Sequence, residues 1–161
     1  MAPSLTARWL HPPTAPHARA VVATGVFDLL HVGHTRFLAH ARAAGDALLV
    51  GVESDERVAA RKGGARPIVP AHERAELLAA LAAVDGVFLV EGPPGLWTAA
   101  AYAAALRPLG PARLALTEGD PAEPGKREAA RQLGIDVVVA PLLAGWSTTA
   151  LLARGAYAVE A

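Results

Sequence analysis

Apolar runs along the chain alternate with longer segments in which apolar residues recur at helical spacing. Short runs of this kind predict buried strands at residues 20–23, 46–52, 87–90, 113–116 and 136–139. Helical spacing predicts helices at residues 35–44, 71–83, 96–106, 126–133 and 150–154. The alternation predicts an α/β fold with a single Rossmann-like, doubly wound parallel sheet of about five strands. Such a sheet carries helices on both faces and binds ligands at the carboxyl ends of its strands.

The N-terminal segment does not follow this pattern. Residues 1–19 contain Pro3, Pro12, Pro13 and Pro16 and no continuous apolar stretch, so a signal peptide is not indicated. We expect this segment to be a flexible or surface-draped arm ahead of one domain at residues 20–161.

Composition excludes several classes of function. The chain has 15 basic and 15 acidic residues, and this zero net charge argues against a nucleic-acid or membrane-surface binder. It has no cysteine, which excludes a disulfide framework, a thiolate metal site and a cysteine nucleophile. No apolar run approaches the ~20 residues of a membrane span. We therefore expect a cytoplasmic protein without nucleic-acid or membrane partners.

Two histidines lie where the first predicted strand passes into a helix. His31 and His34 belong to the run T-G-V-F-D-L-L-H-V-G-H at residues 24–34. At such a junction, free backbone N–H groups and the helix dipole attract anions, and imidazoles add donors for a phosphate. Gly33 would let that phosphate approach the backbone closely. The alternative is a pair of helix-start histidines with structural hydrogen bonds only.

This run resembles the G-x-F-D-x-x-H-x-G-H signature of the cytidylyltransferase-like nucleotidyltransferases. The resemblance extends over residues 21–154 and implies a sheet of the nucleotidyltransferase α/β phosphodiesterase type. It implies that His31 and His34 are catalytic and act on the triphosphate. Within the same motif it assigns nucleotide binding to Gly25, Val26, Phe27 and Gly33, and substrate binding to Asp28.

A second run, from Lys62 to Arg74, resembles the family pattern K-G-x-x-R-P-x-x-P-x-x-x-R. A lysine on a glycine-rich loop can place its ammonium on a triphosphate, so Lys62 is a third catalytic candidate; otherwise it is a solvated loop residue. Arg74 lies in a first helical turn, where a cation opposes the helix dipole. The resemblance implies that Arg74 binds the acceptor's phosphate. The alternative is a surface arginine paired with Glu73 or Glu76.

Two further nucleotide-binding elements follow from the resemblance. Ser147 and Thr148 begin the last predicted helix, where hydroxyl residues often serve only as caps. The family's S-T-T at this position holds the β- and γ-phosphates, which implies the same role here. Asp120 resembles the family's G-D turn, which meets the ribose or the base.

The choice between ATP and CTP stays open at this point. Residues 141–146 lack the arginine of the glycerol-phosphate cytidylyltransferases, and G-x-S-T-T is similar to the adenylyltransferases that make ADP-heptose. Those adenylyltransferases, however, have K-G-G-D where this chain has T-E-G-D at residues 117–120. Glu118 is a carboxylate that could accept a hydrogen bond from the exocyclic amine of either base.

The expected reaction is nucleotidyl transfer, in which a small phosphorylated acceptor such as a sugar phosphate attacks the α-phosphorus of ATP or CTP and pyrophosphate leaves. Alignment and charge neutralisation would suffice for catalysis, because the attacking phosphate is already an anion. Mg²⁺ is expected to bridge phosphate oxygens, and a homodimer is expected. The alternatives are a cytidylyltransferase for glycerol 3-phosphate or another alcohol phosphate, and a nucleotide-binding regulator without turnover. An oxidoreductase is disfavoured because the first strand lacks a dinucleotide fingerprint.

Overall fold

The computed structural model describes residues 2–155, which form a six-stranded sheet flanked by helices. The strands are β1 (Thr6–His11), β2 (Ala20–Gly25), β3 (Ala47–Glu53), β4 (Gly86–Glu91), β5 (Arg113–Thr117) and β6 (Asp136–Ala140). The helices are α1 (Val32–Arg42), α2 (Asp55–Lys62), α3 (Ala71–Ala79), α4 (Ala99–Leu106), α5 (Glu123–Leu133) and α6 (Thr148–Ala153), with a 3₁₀ turn at Arg107–Leu109. None of the helices in this part of the chain is long and apolar enough to cross a membrane.

The sheet has the strand order β1-β4-β3-β2-β5-β6. Its last five strands are parallel, and β1 pairs antiparallel with β4 at the edge. Strand order therefore reverses between β2 and β5, because successive strands extend to one side of β2 and then to the other. In doubly wound sheets this switch point opens the crevice in which ligands bind.

Alternate residues of the strands build two apolar layers, one on each face of the sheet. Val22 and Leu49 point into the layer covered by α4 and α5. Val21 and Leu48 point into the layer covered by α1 and α3. The predicted α/β class and doubly wound sheet are confirmed, and the sheet has one strand more than expected.

The extra strand corrects the expectation of a flexible arm for Thr6–His11, which lie within the predicted arm at residues 1–19. Thr6 to His11 extend along β4, with Thr6 opposite Glu91 and Trp9 opposite Phe88. The Trp9 ring meets the Phe88 ring edge to face at 5.7 Å, which ties this segment to the core.

The observed helices differ from the sequence-based ones at several of their ends, and one helix was not predicted. Helix α1 begins at Val32 instead of residue 35, and α3 ends at Ala79 instead of residue 83. Residues 55–62, which lie outside the helices predicted from sequence, form α2. Within α3, Leu77 is 47% exposed, whereas Leu78 is buried. The end of the predicted domain, residues 156–161, lies outside the described residues.

Candidate active site

A cleft of about 1070 Å³ opens at the carboxyl ends of β2 and β5, at the switch point of the sheet. Its walls bring together segments that are far apart in sequence. Among the residues predicted for the site, those lining the cleft are Gly25, Val26, Phe27, Asp28, His31, Gly33, His34, Lys62, Asp120, Ser147 and Thr148. Arg74 is absent from this lining.

The loop from β2 to α1 contains strained backbone. Phe27 and Leu29 have φ angles of 54° and 48°, in the left-handed region that residues with a Cβ rarely adopt. Each such conformation costs on the order of 1–3 kcal/mol and persists where the surrounding contacts enforce it, as at binding and catalytic sites. The strain lies in the middle of the predicted signature.

His31 caps helix α1 and has a defined tautomer. Its Nδ1 accepts a hydrogen bond from the backbone N–H of Gly33 at 3.1 Å, so in the neutral ring the proton is on Nε2. That Nε2 is buried without a hydrogen-bond partner among residues 2–155. A buried donor without an acceptor is costly, and it is the group that a phosphate oxygen would satisfy.

His34 stacks on His31, with ring centroids 3.8 Å apart, and its other neighbour is the Phe27 ring. Its Nδ1 is likewise buried without a partner in the described part of the chain. Burial lowers the pKa of His34 to about 4, and repulsion from the His31 imidazole contributes to the shift. Burial also lowers the pKa of His31. Both rings are therefore neutral at pH 7, and an incoming anion would favour their protonation.

Gly33 has a packing role that the sequence did not reveal. A Cβ at this position would lie 2.9 Å from the His31 ring and 3.1 Å from the Cβ of Trp146. Real Cβ atoms do not approach that closely, so any side chain here would displace the His31 ring. Gly33 is therefore required for the position of His31 itself.

The shift at His34 gives a prediction about the pH dependence of stability. Between pH 6.5 and pH 4 the unfolded chain binds a proton at this residue that the native chain does not, so its folding stability falls as pH decreases. We expect this side chain to account for a loss of about 1–2 kcal/mol between pH 7 and pH 5. Urea unfolding at both pH values measures it, with His40→Gln on the exposed end of the same helix as the control. The prediction would be contradicted if the His34→Gln protein lost as much folding stability between pH 7 and pH 5 as the wild type does.

Lys62 is the last residue of α2, and its side chain lines the cleft. Burial and the nearby Arg66 and Arg61 lower the pKa of its ammonium. Asp28 and Asp120 offset part of this effect, and a cation beside two other cations gains from an anionic ligand. Its predicted contact with a triphosphate agrees with this location.

Ser147 and Thr148 also lie in the cleft, and both serve the protein structure. The Ser147 hydroxyl caps α6 by accepting the N–H of Ala150 at 3.0 Å. The buried Thr148 hydroxyl donates to the Asp28 carbonyl at 2.7 Å and thereby joins α6 to the signature loop. The Thr148 hydroxyl proton is thus already used in this hydrogen bond. A donor to a phosphate at this position would have to come from another group at the start of the helix.

Asp28 is 1% exposed and holds the loop that follows α2. Its carboxylate accepts from the N–H groups of Ile68 and Val69 and from Arg66 Nε, at 2.8 to 3.0 Å. Burial alone would raise the pKa of Asp28, but these donors outweigh it and lower the pKa. Arg66 Nη2 is buried without a partner among the described residues. The predicted role of Asp28 in substrate binding is therefore joined by a structural role.

The structure does not place Arg74 in the cleft, where its predicted role in binding the acceptor phosphate would require it. Arg74 is 0% exposed, and it pairs with neither Glu73 nor Glu76. Its guanidinium donates to the carbonyl oxygens of Val69, Val26 and Glu53 and to the Asp55 carboxylate, at 2.6 to 2.9 Å. The unfavourable position at the helix start is thus compensated by acceptors from inside the protein.

Lys126 is a charged cleft residue that sequence reasoning missed. Lys126, on α5, donates to the Asp120 carboxylate at 2.8 Å and to the Thr24 carbonyl at 3.3 Å. The signal available was composition, because Lys62 and Lys126 are the only lysines of the sequence and both line the cleft. Glu118, considered above for base recognition, is exposed and does not line the cleft.

The described residues do not form a metal cage. Within residues 2–155, no group of three or more His, Asp or Glu side chains is placed to hold an ion. The Asp120 carboxylate, on the α5 side of the cleft, already accepts hydrogen bonds from the Lys126 ammonium and from the N–H of Ala122. Any Mg²⁺ would have to be held mainly by the phosphate oxygens of a nucleotide and by water.

Comparison with known proteins agrees with this geometry. Residues 22–94 match the family model described as cytidylyltransferase-like. A solved structure, the lipopolysaccharide core biosynthesis protein from Thermoplasma volcanium, is 30% identical, with a TM-score of 0.59 over 78% of this chain and 96% of that one. The chain therefore belongs to the cytidylyltransferase-like family of nucleotidyltransferases. A pantothenate synthetase from Thermus thermophilus, 21% identical with a TM-score of 0.56 over 91% of this chain and 64% of that one, shares the fold.

Curated relatives match most of this chain. The chain is 40% identical over 153 residues to the bifunctional protein HldE of Koribacter versatilis, which covers 94% of this chain. It is 41% identical over 144 residues to HldE of Streptomyces coelicolor, which covers 88% of this chain. In both comparisons the chain spans 29% of the relative's length.

Proposed function

We propose that this chain transfers a nucleotidyl group from a nucleoside triphosphate to a small phosphorylated acceptor. The observation that carries the proposal is the pair of stacked, neutral histidines in the switch-point cleft, each with a buried nitrogen that lacks a partner among the described residues. Lys62 adds a cation at the same cleft. Preorganised donors in a partly dehydrated site are what a pentavalent phosphoryl transition state requires.

In the proposed reaction an oxygen of the acceptor's phosphate attacks the α-phosphorus of the nucleotide. The new P–O bond forms as the bond from that phosphorus to the α,β-bridging oxygen breaks, and the electron pair leaves with pyrophosphate. No protein base is needed, since the attacking oxygen is already anionic. His31 Nε2–H and His34 would stabilise charge on the transferred phosphoryl group, with Lys62 acting on the same oxygens.

Mg²⁺ is part of the proposal as the ion bound to the triphosphate. It would neutralise phosphate oxygens, held by the nucleotide and water, since the described side chains form no cage for it. The protein's own contribution is therefore placement of the phosphates and of the acceptor.

We infer that the nucleotide is ATP and that the acceptor is a sugar phosphate. Two observations support this inference. The curated relatives are named HldE, and the start of α6 reads G-W-S-T-T without an arginine in residues 141–146, as in the adenylyltransferases that form ADP-heptose. The competing reading is a cytidylyltransferase for glycerol 3-phosphate.

The test is pyrophosphate release from each of ATP, CTP, GTP and UTP with Mg²⁺, with heptose 1-phosphate, other aldose 1-phosphates or glycerol 3-phosphate as acceptor. We expect ATP with an aldose 1-phosphate to be the preferred pair, and the His34→Ala protein sets the background. A clear preference for CTP with glycerol 3-phosphate would replace the adenylyl assignment and keep the mechanism. Tight nucleotide binding with no pyrophosphate from any pair would favour a regulator without turnover.

A further inference from the structure

The ammonium of Lys126 lies at the point where the two halves of the sheet separate. It donates one hydrogen bond to the carbonyl of Thr24, at the carboxyl end of β2, and one to the carboxylate of Asp120, just after β5. The Lys126 side chain is 19% exposed and lines the cleft. A cation is thus fixed between the strands on either side of the switch point.

The topology places this lysine opposite the histidines. Strand β2 leads into α1 on one face of the sheet, and β5 leads into α5 on the other face. His31 and His34 therefore approach the cleft from the α1 side, whereas Lys126 approaches it from the α5 side. A ligand at the switch point would have donors on both sides.

We propose that Lys126 binds the α-phosphate of the nucleotide, the phosphate that is transferred. This inference rests on the proposed function. The α-phosphate is the one attached to the ribose, and the resemblance implies that Asp120 meets the ribose or the base. With Asp120 at the ribose or the base, a side chain 2.8 Å from its carboxylate would be nearer to the α-phosphate than to the γ-phosphate.

The hydrogen bonds of the ammonium leave it able to make this contact. A lysine ammonium has three N–H donors, and the described acceptors, Asp120 and Thr24, use two of them. Burial alone would raise the pKa of Asp120, but Lys126 outweighs it and lowers the pKa, so the carboxylate stays ionised and holds the lysine in place. Lys62, in contrast, lies at the end of α2 and is the more exposed of the two lysines. Lys126 is thus a cation held in place by its hydrogen bonds, and Lys62 is a more exposed cation.

The test compares the affinities of AMP and adenosine, which differ only in the α-phosphate, for the wild-type chain and for Lys126→Met. We expect Lys126→Met to weaken AMP binding by about tenfold or more, because a charge-assisted hydrogen bond is lost, and to leave adenosine within about twofold. Arg127→Met, at the exposed neighbouring position, is the matched control and should leave both affinities unchanged. Lys126→Arg should restore part of the AMP affinity.

Two outcomes would overturn this role. Equal losses for AMP and adenosine would mean that Lys126 acts only by positioning Asp120, and Asp120→Asn would then show the same losses. Unchanged affinities would mean that the ammonium does not meet the nucleotide. Failure of the wild-type chain to release pyrophosphate would refute the proposed function instead, and the AMP and adenosine comparison would still decide the role of Lys126.

Discussion

Replacing His34 by alanine is expected to lower kcat for nucleotidyl transfer by at least about 10²-fold, the effect of losing one preorganised donor to a developing charge. The reason is local. The His34 ring is fixed between His31 and Phe27, and its Nδ1 lacks a partner among residues 2–155. The protein structure therefore gains little from the polar atoms of this ring.

His40→Ala is the matched control, because it removes an exposed imidazole from the last turn of the same helix. Initial-rate kinetics with saturating nucleotide and acceptor measure kcat, and urea unfolding shows whether either protein is destabilised. His31→Ala should lower kcat similarly and also lose about 1 kcal/mol of stability, since His31 caps α1. Wild-type turnover in His34→Ala would refute the assignment of the histidines.

The sequence predicted those strands whose burial is evident from their own residues. Parallel strands are covered on both faces, so each is a continuous apolar run that stands out from its neighbours. The edge strand β1 has the run T-A-R-W-L-H, in which polar and apolar residues are mixed, and its partner β4 lies about 80 residues away. Nothing near β1 in the sequence indicates that pairing.

In the candidate site too, residues that are close in sequence could be predicted together, and residues that are far apart could not. His31, Gly33 and His34 lie within four positions of one another, and a strand followed by a helix was enough to place them together. The partners of Lys126 include Thr24, which is 102 residues away, so only the fold could place that ammonium in the cleft. Composition identified the lysines as unusual without showing what the second one contacts.

Arg74 shows why the chemical role of a charged residue is harder to predict than its location. Its position at the start of α3 suggested an external anion, because a cation there opposes the helix dipole. The anionic and polar partners come instead from four segments: the signature loop at Val26, the end of β3 at Glu53, the start of α2 at Asp55 and the loop at Val69. Sequence alone does not show that these carbonyl groups converge on one point.

Substitution of Arg74 is consequently expected to act on folding. Arg74→Ala should lower the free energy of unfolding by about 3–5 kcal/mol, the cost of removing one partner from a buried ionic network. Arg74→Lys should also be strongly destabilising, because three N–H donors on a flexible stem cannot reproduce the planar contacts of the guanidinium with Val26, Glu53, Val69 and Asp55. Urea unfolding of the purified proteins gives both values.

The control is Arg36→Lys on the exposed surface of α1, for which we expect a change within about 0.5 kcal/mol. The two roles of Arg74 predict different results for Arg74→Lys. A residue that bound the acceptor would raise the acceptor's KM and leave stability near the wild-type value. A residue that holds the signature loop lowers stability first, and any protein that remains folded loses kcat because Val26 and the adjoining histidine loop are no longer fixed. A free energy of unfolding of Arg74→Lys within about 0.5 kcal/mol of the wild-type value, together with a raised KM for the acceptor, would mean that Arg74 binds the acceptor.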